Sequence, residues 1–511
     1  MYKKVIIFIL LALGMFTVRA GGAADKKRPN VVFIYASDLG KGLLSAYGQK
    51  HFTTPNMDAL VRDGVSFGYA FGGSAPAYAR ASLLTGYRDC DKNKWRISRG
   101  GVYIKGDTTD IHEQEDFING NSILLPENDL YLPQVFRKAG YVTAQTGMLG
   151  LGNTSTRRLM FLYGWDYFYG DLDYMRSQGF YPAFLFENER INMIEGNTRA
   201  DGGRGYVHET ENEVTFGDRW NMDGKKVYSP DLIIEKTLEF MREFKDMPFF
   251  LMYSAPLPGP PSVRAIHPEV AGNGELTQIE KEYASMVKLL DDHVGVILSE
   301  LRSLGLEENT MVVLASDNGH DICYLQENRI ERPFRNTKTG EVFDNSYSKY
   351  YSDRAGDVFN GNMGMAGLKR SNLNGGINIP LVFYRKGALK PRVCEDVVSG
   401  YDILPTMADL LGIKLETEKD GISILPALTK GRKLPKNRLV TVSSDDGPAI
   451  IVNDGWKLRF LNNRKKYELY NIRKDPEEKY DVILRFPDKA EELKARLTEQ
   501  CNGNIENGII Y

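Results

Sequence analysis

Three stretches of this chain are apolar without interruption, with amphipathic sequence between them. Residues 30–36 (NVVFIYA), 248–254 (PFFLMYS) and 311–315 (MVVLA) show no polar–apolar alternation. A strand with one wet face alternates. A run apolar at nearly every position is buried on both faces, as inside a parallel sheet covered by helices. Parallel neighbours need crossover connections, and the intervening sequence supplies them. Residues 54–64 read as a helix, with Pro55 in the first turn and Gly64 at the close; 132–140 read as a second, followed by a strand at 141–146. Residues 230–244 are amphipathic and lead into the 248–254 strand, and 279–304 carry helical periodicity ahead of 311–315. A further strand and helix follow at 379–384 and 402–411. The pattern predicts an α/β domain around a large, mainly parallel sheet.

The character changes near the C-terminus. Short strand candidates at 439–442, 449–452, 457–460 and 467–471 are closely spaced, and 488–500 read as a closing helix. This predicts a main domain over 28–428 and a small α+β unit over 429–511. At the other end, Lys3 and Lys4 precede an apolar run over 5–18, and Val18-Arg19-Ala20 offers small residues at a signal-peptidase spacing. Residues 1–20 therefore read as a signal peptide, with a secreted or periplasmic product and no membrane span after cleavage. The 65 basic and 67 acidic residues leave a net charge of −2, which excludes a global basic field for nucleic acid. The four cysteines lack metal-ligand spacing; an exported chain could pair them, in a pattern the sequence does not specify. Segments 153–223, rich in Tyr, Phe and Gly, and 321–361, polar and aromatic, read as insertions that either shape a ligand pocket or simply pack as loops.

Several motifs recur in one order along the chain. They are Arg28-Pro-Asn-Val-Val-Phe-Ile, Thr54-Pro-Asn-Met-Asp-Ala-Leu, Arg80-Ala-Ser-Leu-Leu-Thr-Gly86 and Ser316-Asp317-Asn318-Gly319. Lys369 with Gly375-Gly376-Ile377-Asn378-Ile379-Pro380, then Asp402-Ile-Leu-Pro-Thr-Met-Ala-Asp-Leu-Leu-Gly412, Trp456-Lys-Leu, Glu468-Leu-Tyr-Asn and Asp475-Pro-Glu-Glu, complete the set. Together they resemble the sulfatase family of the alkaline phosphatase superfamily. The resemblance implies an alkaline-phosphatase-like fold, with a large mixed, mainly parallel sheet flanked by helices and a small C-terminal α+β subdomain. It implies sulfuric ester hydrolysis, with a sulfated saccharide or other small anionic ester as partner and a Ca2+ (or Mg2+) ion in the site.

Family chemistry uses a Cys or Ser, in a Cys/Ser-x-Pro-x-Arg motif, oxidised to formylglycine. One hydroxyl of its hydrate attacks sulfur and the other expels sulfate afterwards; Lys and His side chains neutralise charge and protonate the leaving oxygen. Here the segment is Ser74-Ala-Pro76-Ala-Tyr78-Ala-Arg80. Counted back from Arg80, the nucleophile position is Pro76, which cannot be oxidised; counted from Ser74, two residues separate the motif from its arginine. Formylglycine is therefore not expected, and Ser74 reads either as a plain nucleophile or as a loop hydroxyl. Of the family's paired aspartates after the first strand, the chain has Ser37 and Asp38; Asp317 and Asn318 match the second pair, so the metal site lacks one negative charge. Met148 and Gly150 stand where the family places Lys and His, and Leu257 where it places a leaving-group His. None of the three can move a proton.

Arg80 and Lys369 match family positions that bind the nucleophile and the substrate anion. His320 follows the Asn-Gly turn where a substrate contact is expected. His267 is a candidate substitute that would fold back from its loop, and His293 reads as structural. The sequence thus predicts a catalytically impaired sulfatase homologue, a pseudoenzyme, with a retained anion or sulfated-glycan pocket. The alternative is an active metal-dependent sulfate or phosphate ester hydrolase using Ser74 or metal-bound water.

Overall fold

Residues 28–91, 94, 97, 115, 118, 124–149, 151–198, 220–259, 262, 264–322, 330–331 and 335–510 are described by a computed structural model. The expected signal peptide and Gly150 lie outside them. The main sheet is built from β1 (Asn30–Ser37), β2 (Val65–Phe71), β3 (Val142–Met148), β4 (Tyr167–Asp171), β5 (Phe184–Glu187), β6 (Arg190–Met193), β7 (Phe249–Pro258) and β8 (Thr310–Ser316). After a short ribbon of β9 (Ile330–Glu331) and β10 (Arg335–Asn336) come β11 (Leu381–Tyr384) and β12 (Arg392–Ser399). The order across the sheet is β12-β2-β11-β8-β1-β7-β3-β4-β5-β6. β11 and β5 run against their neighbours; the remaining pairings are parallel apart from that of β5 with β6.

The uninterrupted apolar runs have the expected cause. All eight residues of β1 are buried. Its even positions (Val32, Ile34 and Ala36) enter one core, and its odd positions (Val31, Phe33 and Tyr35) enter the other. β7 divides likewise, with Leu251 and Tyr253 on one face and Phe250 and Met252 on the other. The period-2 geometry of a strand thus feeds two helix-covered layers, each large side chain contributing about 1.5–3 kcal/mol on burial. The helix Gln278–Ser303 covers one face. It opens on a capping box in which Thr277 Oγ1 accepts from Glu280 N and Glu280 Oε2 accepts from Thr277 N at 2.8 Å. Asp291 in this helix caps the helix Pro55–Asp63 from outside, accepting Met57 N at 2.8 Å and Asn56 N at 3.1 Å.

The C-terminal residues form a second, antiparallel sheet of β13 (Leu439–Val442), β14 (Ala449–Val452), β15 (Trp456–Leu461) and β16 (Lys466–Asn471). The helix Pro487–Gln500 closes it, burying Ala490, Leu493 and Leu497 against Ile450, Leu458 and Leu469. A buried charge network joins this sheet to the main one. Lys457 Nζ meets Glu478 at 2.7 Å and Asn374 Oδ1 at 2.9 Å, and Glu478 Oε2 accepts Asn374 N at 2.6 Å. A buried cation and carboxylate persist because each neutralises the other and Asn374 hydrogen-bonds to both.

His293 sits on the buried face of the Gln278–Ser303 helix, with Nδ1 2.6 Å from Tyr253 Oη of β7. Burial, with help from Arg264, pushes its imidazole down from 6.5 to about 3. The folded value lies below the unfolded one, so the unfolded chain takes the proton first. Stability from this group is intact above pH 6.5 and falls with acidification toward pH 3, by about 1.4 kcal/mol per pH unit. His293→Gln is expected to flatten the acid limb of melting temperature against pH. An unchanged slope would assign that limb to other groups.

Candidate active site

The parallel strands deliver their C-terminal ends to one edge of the sheet, where open α/β folds place ligands. β1 ends at Ser37, and Asp38 follows with φ +60°, buried. Aspartate tolerates this left-handed backbone better than most residues, but it still has to be held. The holding group is Asp317, at the end of β8. Its Oδ1 accepts Asp38 N at 2.9 Å and Asn318 N at 2.9 Å. Asn318 Nδ2 donates to Asp38 Oδ1 at 2.9 Å, and Ser316 Oγ accepts Leu39 N at 2.9 Å. The two turns therefore fix each other.

Each carboxylate also meets a cation. Arg80, buried in the helix Pro76–Thr85, reaches Asp317 Oδ2 with Nη2 at 3.1 Å and Ser254 Oγ with Nη1. Its guanidinium lies 4.8 Å from the centre of the Tyr35 ring. Lys369 Nζ reaches Asp38 Oδ2 at 2.8 Å, Tyr174 Oη at 3.1 Å and Asp321 Oδ2 at 3.6 Å. Burial raises the Asp38 carboxyl to about 6; Lys369 opposes the rise, and Asp317 and Asp321 add to it.

Ser74 is reached through Gly72 and Gly73, which run beside Asp317. Gly73 N donates to Asp317 O at 3.0 Å, and a Cβ on Gly72 would come within 2.2 Å of that oxygen, so no side chain fits there. Ser74 is buried; its carbonyl accepts Arg370 N at 2.6 Å, and its Oγ has no hydrogen-bond partner. Ala75 caps the helix and Pro76 occupies its first turn, fitting a ring with no N–H to donate. Asn318 Oδ1 is a second buried oxygen without a hydrogen-bond partner. Among the described residues no group of three or more His, Cys, Asp and Glu side chains is arranged to hold a metal. The oxygens of Asp38, Asp317 and Asn318 are nonetheless the hard donors a Ca2+ or Mg2+ ion takes, and the open Asn318 Oδ1 fits that use.

The histidines lie elsewhere. His320 is fully buried, with Nε2 3.3 Å from Asp357 Oδ2. Its backbone N donates to Gly375 O at 3.0 Å, and its carbonyl accepts Lys369 N at 2.8 Å. A Cβ on Gly361 would strike the His320 ring at 2.3 Å, so the chain passes directly over it. His320 is thus built in as a brace between the Asn318 turn and Lys369. His267 caps the short helix Pro268–Ala271 through Glu269 N at 3.2 Å, and its own N donates to Ser285 Oγ at 2.8 Å. These contacts hold it to the Gln278–Ser303 helix, not to the carboxylates. Met148 and Leu257 are fully buried, Leu257 within the apolar core, and Gly150 lies outside the described residues.

Sequence reasoning missed Tyr174, Ser254, Asp321 and Asp357. Tyr174 is half-buried and rigidly presented: its N donates to Asn153 O at 2.8 Å, while Asp173 Oδ1 accepts Met175 N at 2.9 Å. A signal existed in its place three residues after β4, at the edge where the other strands deliver their ligands. With Lys369 donating to its oxygen, the Tyr174 O–H remains a donor for a bound anion.

Asp317→Ala would remove the shared acceptor of Asp38 N, Asn318 N and Arg80, leaving a buried guanidinium unpaired. The expected cost is about 3–5 kcal/mol. Tyr174→Phe should cost about 1 kcal/mol or less, because it removes a single hydrogen bond, the one accepted from Lys369. Thermal melts of the two variants check this. Equal melting temperatures would contradict the anchoring role of Asp317.

A family model described as Sulfatase matches residues 29–413. The N-acetylgalactosamine-6-O-sulfatase of Bacteroides thetaiotaomicron is 25% identical, over 94% of this chain and 94% of its own. Human arylsulfatase A is 24% identical, over 93% of this chain and 86% of its own. A solved structure from work on glycosaminoglycan metabolism by Bacteroides thetaiotaomicron has a TM-score of 0.66 at 22% identity, covering 93% of this chain and 100% of that one. Ps i-CgsB in complex with k-i-k-neocarrahexaose gives 0.64 at 20% identity, covering 95% of each chain. At these identities the solved structures show a shared fold. With the family model spanning most of its length, the chain belongs to the sulfatase family.

Proposed function

We propose that this sulfatase-family protein binds the sulfate group of a saccharide in the Asp38–Asp317–Lys369 pocket and is impaired in hydrolysing it. The observation that carries the reading is the burial of Met148 and Leu257, apolar side chains at two positions where family chemistry moves protons. Sulfate ester cleavage needs a donor for the leaving oxygen, and neither side chain has a proton to give. Pro76 cannot carry an aldehyde. A plain Ser74 that accepted sulfate would hold an ester with no neighbouring hydroxyl to release it. The binding half of the machinery is better supported. Lys369 and Arg80 supply cationic donors, and Tyr174 a neutral one.

The buried carboxylates bear on how an anion enters. Asp38 and Asp317 would lie close to a sulfate held by Lys369, and a bound cation would offset their repulsion of it. Sulfatases generally depend on Ca2+, and Asp38, Asp317 and Asn318 Oδ1 would hold such an ion here. A bound divalent cation would polarise a sulfate oxygen as a Lewis acid. Lys369 would then orient the sulfate and Arg80 keep Asp317 in place, with anion and cation each strengthening the other's binding. Saccharide ligands are the class supported by the relatives: one is an N-acetylgalactosamine-6-O-sulfatase, and one structural neighbour was solved with its substrate D-glucosamine-2-N,6-O-disulfate. We also propose that the protein is exported by its N-terminal signal and divides near residue 428. Among the described residues no helix is long and apolar enough to cross a membrane.

A second reading, hydrolysis by Ser74 or metal-bound water, draws support from the unpartnered Ser74 Oγ. Two measurements separate them. Purified protein with Ca2+ is expected to turn over an aryl sulfate or aryl phosphate no faster than its Asp317→Ala variant, and the tryptic peptide carrying Ser74 should have the mass of unmodified serine. Calorimetry with sulfated disaccharides should show binding that needs Ca2+ and is lost in Lys369→Ala. Turnover abolished by Asp317→Ala would favour the second reading. An aldehyde at Ser74 would overturn both.

A further inference from the structure

Two cysteines far apart in sequence meet in the apolar core beneath the C-terminal sheet. Cys90 lies four residues beyond the end of the Arg80 helix at Gly86, and Cys501 caps the end of the closing helix Pro487–Gln500. Both are fully buried in one cluster with Ile450, Leu458 and Leu493. Cys90 Sγ donates to the carbonyl of Gln500, the residue before Cys501, at 3.1 Å. The flanking residues hold the two segments in register. Arg88 Nε donates to Gln500 O at 2.6 Å and Nη2 to Asn502 Oδ1 at 3.3 Å, while Asn502 Nδ2 donates to Asp91 Oδ1 at 2.9 Å. Polar bonds on both sides of Cys90 and on both sides of Cys501 thus hold the two cysteine segments together before any covalent bond exists. Cys394 belongs to a different core, and Cys323 lies outside the described residues.

We propose that Cys90 and Cys501 are a disulfide site, oxidised when the protein folds in an oxidising compartment. The cross-link would staple the end of the chain to the segment that follows the Arg80 helix. The step balances as thiol–disulfide exchange. The two thiols lose two protons and two electrons and form one S–S bond, while an exogenous disulfide (a dithiol oxidase or oxidised glutathione) is reduced to two thiols. The neighbouring Cys501, and then burial, hold the Cys90 thiol well above its ordinary value, so the thiolate needed for exchange is scarce once the core has closed. Oxidation therefore belongs to folding, and the finished bond is shielded from reductants. This inference does not depend on what the pocket binds.

The test uses the full chain, produced once by export to a bacterial periplasm and once by refolding with oxidised glutathione. After denaturation and alkylation without reductant, a tryptic digest is expected to contain the Cys90 peptide joined to the Cys501 peptide. Its mass should be two hydrogens below the sum of the separate peptides, and it should disappear after reduction. Pre-reduced, refolded protein should melt several degrees lower, and the double variant Cys90→Ser/Cys501→Ser should melt alike with and without reductant. Recovery of both peptides as alkylated thiols in both preparations would overturn the proposal, as would Cys90 joined to Cys323 instead.

Discussion

The cluster at the strand ends depends on one carboxylate. Asp317 has no contact with solvent, and its two oxygens serve three elements: Oδ1 holds the backbone of Asp38 and Asn318, and Oδ2 holds Arg80. A charge buried this deeply is stable only if it is fully paired, so the pairing dictates the local architecture. Asp38 keeps its left-handed backbone, the glycine-lined approach to Ser74 stays tight against Asp317, and the Arg80 helix is fixed to β7 through Ser254 and to the end of β8 through Asp317. The adjacency of β1 and β8 in the sheet makes this possible. Were they not neighbours, the two turns could not share an acceptor.

The sequence made the centre of the fold legible because central strands carry a physical signature. β1, β7 and β8 are buried on both faces and read as unbroken apolar runs. β2 and β12 escaped notice for the opposite reason. β2 is interrupted by Gly68, which lies under the Glu395 carboxylate, and β12 carries that glutamate together with Asp396 and Arg392, edge-strand chemistry that hides a strand among charges. Segment 153–223 looked like an insertion, yet β4, β5 and β6 within it extend the sheet. Its tyrosines and glycines gave no clear period. In the site, Asp38, Arg80, Asp317, Asn318 and Lys369 were readable because motif order carried them and the strand ends bring them together. Tyr174, Ser254, Asp321 and Asp357 were not, since each becomes relevant only through a contact made by the tertiary fold.

On the proposed reading, the replaced positions also show why such a site can lose its chemistry while its scaffold persists. A lysine or histidine held at the end of a buried strand costs desolvation that function must justify. Met148 and Leu257 impose no such cost and add apolar burial at the same places. Losing a proton donor is then neutral or favourable for folding. Losing Asp317 or Arg80 is not, because each would strand a buried partner.

The network around Lys457 has a consequence for where the pocket ends. Lys457 and Glu478 grip Asn374; the next two carbonyls, of Gly375 and Gly376, receive His320 N and Gly319 N, and Gly319 directly follows Asn318. A continuous path of hydrogen bonds and short backbone links therefore runs from the outer sheet to the carboxylate cluster. The last strands behave as a keystone, not an appendix. A gene fragment that stopped before β13 would take the backing from the Asn318 turn along with a surface layer, and a homologue that exchanged its C-terminal sheet would be reshaping its own pocket from behind.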